Sequence, residues 1–275
     1  MAASYRTGTR LPRPMPRRLR YRALLDFDGT IAPDDPTDRL LDQFADPEWR
    51  VIEAAWQGER LTSRECMQRQ VALLRATPRQ LDAAIRDIEI DPGFSRFVSF
   101  CHSRGVDLAI VSDGFDRVVR TVLRRARLPI RFFANTLQWQ GGDRWRLAMP
   151  HSRRDCRTDA ANCKCAHGTW DDGLSIVIGD GRSDFCMSVR AGYVIAKGAL
   201  ADFCRARRLP HAPFRDFDDA TLSLAEWLDL RGDWPGQRKR PAGAGTGVDS
   251  ASLQTLADDV EDPTADEPRE QRRES

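Results

Sequence analysis

The stretch from Leu24 to Thr30 reads Leu-Leu-Asp-Phe-Asp-Gly-Thr and places two carboxylates where an apolar run ends and a Gly-Thr turn begins. Because side chains alternate along a strand, Asp26 and Asp28 should point the same way at its carboxyl end, where α/β sheets bind ligands. Two unpaired carboxylates held this close repel each other, so the pair predicts a bound cation. Mg²⁺ is the natural ion for a site with only oxygen ligands.

A second apolar, β-branched run also ends in acids. Residues 176–184 read Ile-Val-Ile-Gly-Asp-Gly-Arg-Ser-Asp. Asp180 directly follows this predicted strand, and Asp184 lies about one helical turn further on, within reach of the same ion through water. The two runs together predict a metal site with three carboxylates.

Two further features between these runs are typical of phosphate binding. Leu108 to Val111 form an apolar run that leads into Ser112, Asp113 and Gly114, and Lys164 follows later in a Cys-Lys-Cys sequence. A hydroxyl, backbone N–H groups beside a glycine and an ammonium group together provide what a phosphate dianion requires. We therefore expect Ser112, Asp113 and Lys164 to bind phosphate.

The order of these parts, Asp-x-Asp, Ser, Lys and Gly-Asp-x-x-x-Asp, resembles the four motifs of the haloacid dehalogenase superfamily over residues 21–230. The resemblance implies a Rossmann-like α/β fold with a doubly wound, mainly parallel sheet. It also implies a phosphomonoester hydrolase rather than a dehalogenase, because dehalogenases lack an acid at the position of Asp28. A phosphomutase stays open, since mutases use both carboxylates.

The resemblance also implies roles for the site residues. Asp26 attacks phosphorus and becomes an aspartyl phosphate, while Asp28 protonates the leaving alkoxide and then deprotonates the hydrolytic water. The expected Mg²⁺ ligands are Asp26, the backbone carbonyl of Asp28, Asp180 and Asp184. The groups expected to stabilise the phosphoryl oxygens are Ser112, the backbone N–H of Asp113 and Lys164.

Residues 35–90 interrupt the alternation of strands and helices with helical patterns and no convincing strand. An insertion at this point is similar to the helical cap of the phosphoserine-phosphatase-like branch, which implies that this segment selects the substrate. Asp35 is expected to contact the substrate at the cap hinge, with a favourable charge at a helix N-terminus as the alternative. The predicted regions are a basic disordered tail (1–20), the catalytic core (21–34 and 91–230), the cap (35–90) and a second disordered tail (231–275).

Within that branch, residues 26–31 and 150–152 and the cysteine-rich loop around Lys164 are similar to those of the methionine-salvage enol-phosphate phosphatases. The loop is also similar to that of phosphoethanolamine and phosphocholine phosphatases. Asp35 is shorter than the Glu that reads the substrate amine in phosphoserine phosphatases, and Arg153 stands where the salvage enzymes usually have Cys. The implied substrate is a small phosphorylated metabolite. Four candidates stay open: the methionine-salvage enol phosphate, phosphoserine, phosphoethanolamine and phosphocholine.

The predicted core strands are 21–26, 106–111, 130–133, 136–139, 144–148, 174–178 and 193–196. The predicted core helices are 93–104, 115–126, 158–167, 182–191, 200–207 and 220–228. Residues 141–143, Gly-Gly-Asp, are typical of a hairpin turn.

The composition fits this interpretation. The chain has 275 residues, 41% of them hydrophobic, which is enough for one large domain or a domain with an insert, and its formal net charge is +2. No apolar run approaches the roughly 18 residues of a membrane span, so we expect a cytoplasmic protein without a membrane or nucleic-acid partner. The sequence leaves the oligomeric state open.

Seven cysteines are expected to be reduced thiols rather than a disulfide framework. Cys156, Cys163 and Cys165 lie near His151 and His167, which leaves zinc as an alternative, although the spacing fits no common zinc pattern. The six arginines within residues 1–20 are typical of a solvated tail, with a targeting presequence or a nucleic-acid arm as alternatives.

Two other classes of protein share some of these residues. A phosphoacceptor receiver domain also uses an aspartate, Mg²⁺ and a lysine, but its acidic pair comes before the phosphorylated residue and its lysine comes last. A non-catalytic phosphate-binding module on the same scaffold would normally have lost an acid or the lysine, and here all are present.

Overall fold

In the residues that the computed structural model describes, 21–170 and 174–231, seven strands form one sheet. They are β1 (Arg22–Leu25), β2 (Asp107–Phe115), β3 (Arg131–Trp139), β4 (Trp145–Ala148), β5 (Ser175–Gly179), β6 (Tyr193–Ala196) and β7 (His211–Pro213). Their spatial order is β4-β3-β2-β1-β5-β6-β7. All neighbours are parallel except the antiparallel β3 and β4, which confirms the mainly parallel sheet predicted from the sequence.

Strand β1 lies in the middle of this sheet, between β2 and β5. Leu25 pairs with Ile110 on one side and with Ile178 on the other, so the carboxyl ends of these three strands lie side by side. Leu24 and Leu25 are fully buried and belong to separate apolar clusters on opposite faces of the sheet. A strand covered on both faces needs a continuous apolar sequence, which explains the unbroken run before Asp26.

Helices cover both faces of the sheet. Those outside the insert are α5 (Phe94–Ser103), α6 (Asp116–Ala126), α7 (Phe185–Ser188), α8 (Gly198–Ala206) and α9 (Phe217–Leu230). Helices α5, α6 and α9 contribute to the larger apolar cluster, and α7 and α8 contribute to the smaller one. This arrangement is the doubly wound α/β fold expected from the sequence.

Four helices form the insert, in the chain between β1 and α5. They are α1 (Pro36–Phe44), α2 (Trp49–Gln57), α3 (Ser63–Leu73) and α4 (Pro78–Arg86). Thr62 and Thr77 begin α3 and α4 with capping boxes, in which the threonine and the residue three positions later satisfy each other's backbone N–H groups. This segment has the helical character expected of a cap, while the boundaries of the cap at 35 and 90 stay a prediction.

Several predicted elements differ from the structure. Residues 130–139 do not form two short strands but contribute one continuous strand, β3. The helix predicted at 182–191 is a 3₁₀ turn (Arg182–Asp184) followed by the four-residue α7. Strand β7 was not predicted, because its His-Ala-Pro sequence has no apolar alternation. The hairpin turn is confirmed, since Gly141 and Gly142 both have positive φ angles between β3 and β4.

The helix predicted at 158–167 is wrong except for a 3₁₀ turn at Lys164–His167. The backbone N–H of Asn162 donates to the Asp113 carboxylate, and that of Cys163 donates to the His151 carbonyl. These tertiary hydrogen bonds replace the helical ones and hold the segment before Lys164 in an irregular conformation.

In the part of the chain that the structure describes, no helix is long and apolar enough to cross a membrane. The tail predicted at 1–20 and, except for Arg231, the tail predicted at 231–275 lie outside the described residues.

Candidate active site

Asp26 and Asp28 follow β1 and line the same pocket, but they have different partners. Asp26 is 5% exposed, and its Oδ1 accepts a 2.7 Å hydrogen bond from the backbone N–H of Phe27. Asp28 Oδ1 accepts from the Thr37 hydroxyl at 3.0 Å and from the Thr37 N–H at 3.2 Å. The first carboxylate is therefore fixed by the core and the second by the start of α1.

A buried lysine connects Asp26 to the second acidic segment. Lys164 is 3% exposed, and its Nζ lies 2.8 Å from Asp26 Oδ2 and 2.7 Å from Asp184 Oδ1. It also donates to the Ser183 hydroxyl at 2.8 Å. The ammonium group thus joins the loops that follow β1 and β5.

Asp184 is fully buried at the start of α7. Its Oδ2 accepts from the backbone N–H groups of Asp180 and Gly181 at 3.2 and 3.3 Å, which leaves Oδ1 for the lysine. A Cβ atom on Gly179 would lie 2.2 Å from Asp184 Oδ2, so only glycine leaves room for this carboxylate. The Gly-Asp-x-x-x-Asp spacing therefore folds the second acid back onto the loop of the first.

Asp180 is held by the Gly-Thr turn that follows the first acidic pair. The Thr30 hydroxyl donates to Asp180 Oδ1. Gly29 has a φ of +72°, and a Cβ on it would lie 2.5 Å from Asp180 Oδ2. The turn thus needs glycine for its conformation and for the close approach of a carboxylate from another strand.

The carboxylates of Asp26, Asp180 and Asp184 each have an oxygen within 4.8 Å of the others, the arrangement that a shared metal ion requires. Among the described residues, no group of three Cys or His ligand atoms reaches this proximity, so the zinc alternative has no support there.

The charges around this cluster do not balance. Burial raises the pKa of Asp26 well above its usual range, and the Asp184 carboxylate raises it further. Burial alone would lower the pKa of Lys164, but Asp184 and Asp26 raise it and keep the ammonium protonated. With all three carboxylates ionised, as metal ligands must be, the single ammonium would leave two negative charges, and the donors are all oxygens. This charge and this donor set fit Mg²⁺.

Ser112 lies next to Asp28. Its hydroxyl donates to Asp28 Oδ2 at 2.7 Å and accepts from the Gly114 N–H at 2.9 Å. The residue is fully buried within β2, three residues before the strand ends. The structure therefore brings the expected phosphate-binding hydroxyl to the expected proton donor, while Lys164 contacts Asp26.

The Asp113 carboxylate has partners outside the acidic cluster. Its Oδ2 accepts from the Ser63 hydroxyl at the start of α3 (3.0 Å), and its Oδ1 accepts from the Asn162 N–H (3.0 Å). Burial raises the pKa of this carboxyl. The Asp113 carboxylate thus joins the insert to the loop before Lys164. Because both of its oxygens have these partners, the group of Asp113 expected to bind phosphate is its backbone N–H.

The pocket has a volume of about 470 Å³ and is closed on one side by the helices of the insert. The insert contributes both acids (Asp35, Asp38 and Glu53) and apolar side chains (Trp56 and Met67) to its lining. Asp35 is exposed, and its Oδ1 accepts from the Asp38 N–H as the N-cap of α1. The structure therefore accommodates both roles considered for Asp35, since the same carboxylate caps a helix and lines the pocket.

Three residues of the site were not predicted. Thr37 binds Asp28, Ser63 binds Asp113, and Asn162 donates through its side-chain amide to the carbonyls of Ser112 and Phe133 at 2.9 and 3.0 Å. All three are buried polar residues that satisfy atoms of the loop after β1 and of strands β2 and β3. Their only sequence signal is a helix-start position for Thr37 and Ser63 and, for Asn162, its place two residues before Lys164.

A family model of haloacid dehalogenase-like hydrolases matches residues 23–188. A 2-hydroxy-3-keto-5-methylthiopentenyl-1-phosphate phosphatase of Geobacillus kaustophilus is 34% identical over 205 residues, covering 72% of this chain and 93% of the relative. A phosphatase with the same name from Brevibacillus brevis is 31% identical over 208 residues, covering 73% and 93%.

Solved structures give the same fold. A substrate-bound phosphoserine phosphatase complex superposes with a TM-score of 0.56 at 21% sequence identity, covering 78% of this chain and 99% of its own. A phospho-aspartyl intermediate analogue of phosphoserine phosphatase also gives a TM-score of 0.56, at 20% identity and with coverage of 77% and 98%. At this level of identity the likeness concerns the fold alone.

Proposed function

The chain belongs to the haloacid dehalogenase-like hydrolase family, and we propose on that basis that it is a Mg²⁺-dependent phosphomonoester hydrolase with an aspartyl-phosphate intermediate on Asp26. One observation carries the proposal. Asp26, Asp180, Asp184 and Lys164 form one buried charged cluster beside the pocket that Asp28 also lines.

Asp26 is the nucleophile in this proposal. The Phe27 N–H and the Lys164 ammonium hold its two oxygens, so the carboxylate loses little conformational entropy when it adopts the geometry for attack. In this proposal Lys164, which contacts Asp26, also neutralises charge on the phosphoryl oxygens as the ester bond breaks. Attack by Asp26 splits hydrolysis into two steps, formation and breakdown of an acyl phosphate.

Asp28 is the proton donor to the leaving alkoxide and afterwards the base for water. Its oxygens face the hydroxyls of Thr37 and Ser112. A hydroxyl either donates or accepts, so these neighbours accommodate both protonation states of the carboxyl group. A residue that gives up a proton in one step and takes one in the next needs such neighbours.

The proposed Mg²⁺ ligands are Asp26, the backbone carbonyl of Asp28, Asp180 and Asp184. When bound, the ion supplies positive charge that lets an anionic nucleophile approach a phosphate dianion. The chain itself orients the ligands, through Thr30 for Asp180 and through backbone N–H groups for Asp184.

We propose the methionine-salvage enol phosphate, 2-hydroxy-3-keto-5-methylthiopentenyl-1-phosphate, as the first substrate to test. The names of the relatives suggest it, and Trp56, Met67 and Phe185 in the pocket wall suit an apolar methylthio end. The cytoplasmic location expected from the sequence stays a prediction.

A second substrate class is a phosphorylated amine, such as phosphoserine, phosphoethanolamine or phosphocholine. It is favoured by the carboxylates of Asp38 and Glu53 in the pocket wall. Burial, with Glu53 as the next cause, raises the pKa of Asp38 to about 6, so this wall would gain from a cationic ligand.

The test is a hydrolysis screen of these four compounds and p-nitrophenyl phosphate, with and without Mg²⁺. We expect release of phosphate only with the metal and loss of turnover in Asp26→Asn. If the substrate is an amine, Asp38→Asn should raise KM for it and leave p-nitrophenyl phosphate unaffected. Folded protein that binds phosphate but hydrolyses none of these esters would instead be a non-catalytic binding module.

A further inference from the structure

Two cysteines from different parts of the chain lie in contact beside the charged cluster. The Sγ atoms of Cys165 and Cys186 are 2.8 Å apart. Cys165 belongs to the 3₁₀ turn at Lys164–His167, and Cys186 belongs to α7. Both residues are partly exposed, so a small oxidant in solvent reaches them.

The pair lies on the two segments that carry Lys164 and Asp184 of the charged cluster. Cys165 directly follows Lys164, and Cys186 lies two residues after Asp184. In the thiol form the two segments are joined by the contacts of Lys164 Nζ with Asp184 and Ser183. A covalent bond between the cysteines would fasten together the two segments that carry the buried lysine and its carboxylate partner.

We propose that Cys165 and Cys186 form a reversible disulfide when a hydroperoxide is present. One thiolate attacks the peroxide, the S–O bond forms as the O–O bond breaks, and the departing oxygen takes up a proton, which gives a sulfenic acid and one water or alcohol. The second thiolate attacks that sulfur, the S–S bond forms, and the sulfenic oxygen leaves as water after taking up a proton. The two thiols lose two electrons and the peroxide gains them.

The geometry favours this pair over other cysteines. The sulfurs need to approach by less than about 1 Å to reach bonding distance. Cys66, Cys101, Cys163 and Cys204 are buried. Cys156 is partly exposed, but its sulfur contacts the Ala160 N–H at 3.4 Å and the Thr158 hydroxyl at 3.6 Å, and its cysteine neighbour, Cys163, is buried. Because the bond forms between groups already in contact, the disulfide should leave the positions of Lys164 and Asp184 unchanged.

The expected effect is therefore increased resistance to unfolding with activity retained. A cross-link constrains the unfolded chain and costs little in a native structure whose two sulfurs are already in contact. We expect Tm to rise by about 5–10 °C on oxidation and to return to its original value with dithiothreitol.

The test oxidises the full chain with hydrogen peroxide, blocks free thiols with N-ethylmaleimide, and maps tryptic peptides by mass spectrometry. Trypsin cuts after Lys164, Arg182 and Arg190, so the two cysteines lie on separate peptides that stay joined only by a disulfide. Recovery of the joined peptides, with the rise in Tm, is the expected result. Cys165→Ser and Cys186→Ser should each lose both effects while the reduced proteins keep normal phosphatase activity, and Cys156→Ser should behave as the unmodified chain.

Three outcomes would overturn the proposal. The first is recovery of the two peptides unlinked, with their cysteines alkylated or oxidised to sulfinic acid. The second is a disulfide that joins another pair, such as Cys156 and Cys163. The third is a rise in Tm that persists in both serine variants. Because the mapping and Tm readouts need no turnover, they stay decisive even if the proposed phosphatase function fails.

Discussion

At the residue scale, Asp26 and Asp28 are two positions apart and have different surroundings. Asp26 contacts an ammonium group and a backbone N–H, which stabilise an anion. Asp28 contacts two hydroxyls, which accommodate either protonation state. The proposed division into a nucleophile and a proton carrier follows from these contacts.

Asp28→Asn should therefore slow turnover according to the leaving group. An alkyl phosphate needs a protonated leaving group, so its rate should fall by roughly 10²- to 10⁴-fold. p-Nitrophenolate leaves without a proton, so formation of the acyl phosphate from p-nitrophenyl phosphate should be much less affected. Pre-steady-state release of p-nitrophenolate compared with that of an alkyl alcohol checks this. Asp34→Asn, an exposed acid in the same loop, is the matched control. Equal losses for both esters would contradict the role of Asp28.

The site residues were predictable to the extent that they follow apolar strands. Asp26 and Asp180 come directly after β1 and β5, so strand ends and carboxylates together mark them in the sequence. Thr37 and Asn162 were not predictable, because their roles depend on tertiary contacts, with a partner nine residues away for Thr37 and 50 residues away for Asn162. The orientation of the Asp113 carboxylate toward Ser63 depends in the same way on where α3 packs.

At the element scale, the β3–β4 hairpin supports the helical insert. The indole N–H of the buried Trp145 donates to the Ala76 carbonyl at 2.8 Å, just before α4. The Ala76 N–H in turn donates to the carbonyl of Asp143 in the hairpin turn. The hairpin therefore holds the connection between α3 and α4 by hydrogen bonds at its closed end.

Trp145→Phe should destabilise the protein because it leaves the buried Ala76 carbonyl without this donor. The expected loss is about 1–3 kcal/mol in the free energy of unfolding, which lowers Tm by roughly 2–10 °C. The matched control is Trp139→Phe in the same hairpin, since Trp139 is 55% exposed and water replaces its bond to the Gly142 carbonyl. Thermal unfolding of both variants decides the matter. Equal shifts would show that the buried hydrogen bond has no special contribution.

Elements were predictable where local sequence and burial agree. The buried strands β1, β2, β5 and β6 have short, unbroken apolar runs. Runs of this length indicate a buried strand rather than a helix. The segment before Lys164 was predicted as a helix because its backbone partners come from other segments, which local patterns do not reveal. Strand β7 pairs only with β6 at the edge of the sheet and needs little apolar sequence.

At the scale of the whole molecule, the charged cluster couples metal binding to stability and to pH. Burial raises the pKa of Asp26 and Asp180 in the folded protein, and the Asp184 carboxylate raises both further. At these two carboxyl groups, the folded state therefore binds more protons than the unfolded state between about pH 4 and their folded pKa values. In metal-free protein, the free energy of unfolding should fall as the pH rises from about 4 through the folded pKa values.

Mg²⁺ should consequently stabilise the protein more at high pH than at low pH, because protons no longer compete for the carboxylates. The measurement is the change in Tm caused by Mg²⁺ at about pH 5.5 and about pH 8. We expect the larger change at the higher pH and a smaller difference in Asp180→Asn. A change in Tm that does not depend on pH would show that the ion binds elsewhere.

The central claim is that Asp26 carries the phosphoryl group during turnover. The direct measurement is an acid quench of Asp28→Asn mixed with p-nitrophenyl phosphate and Mg²⁺, followed by mass spectrometry of the tryptic peptide 23–39. This variant forms the acyl phosphate and lacks the base for its hydrolysis, so the intermediate should accumulate. We predict one added phosphoryl group on Asp26, removed by hydroxylamine and absent when Asp26 is also changed to Asn. Product release with no phosphorylated peptide, or phosphorylation that persists without Asp26, would contradict the account.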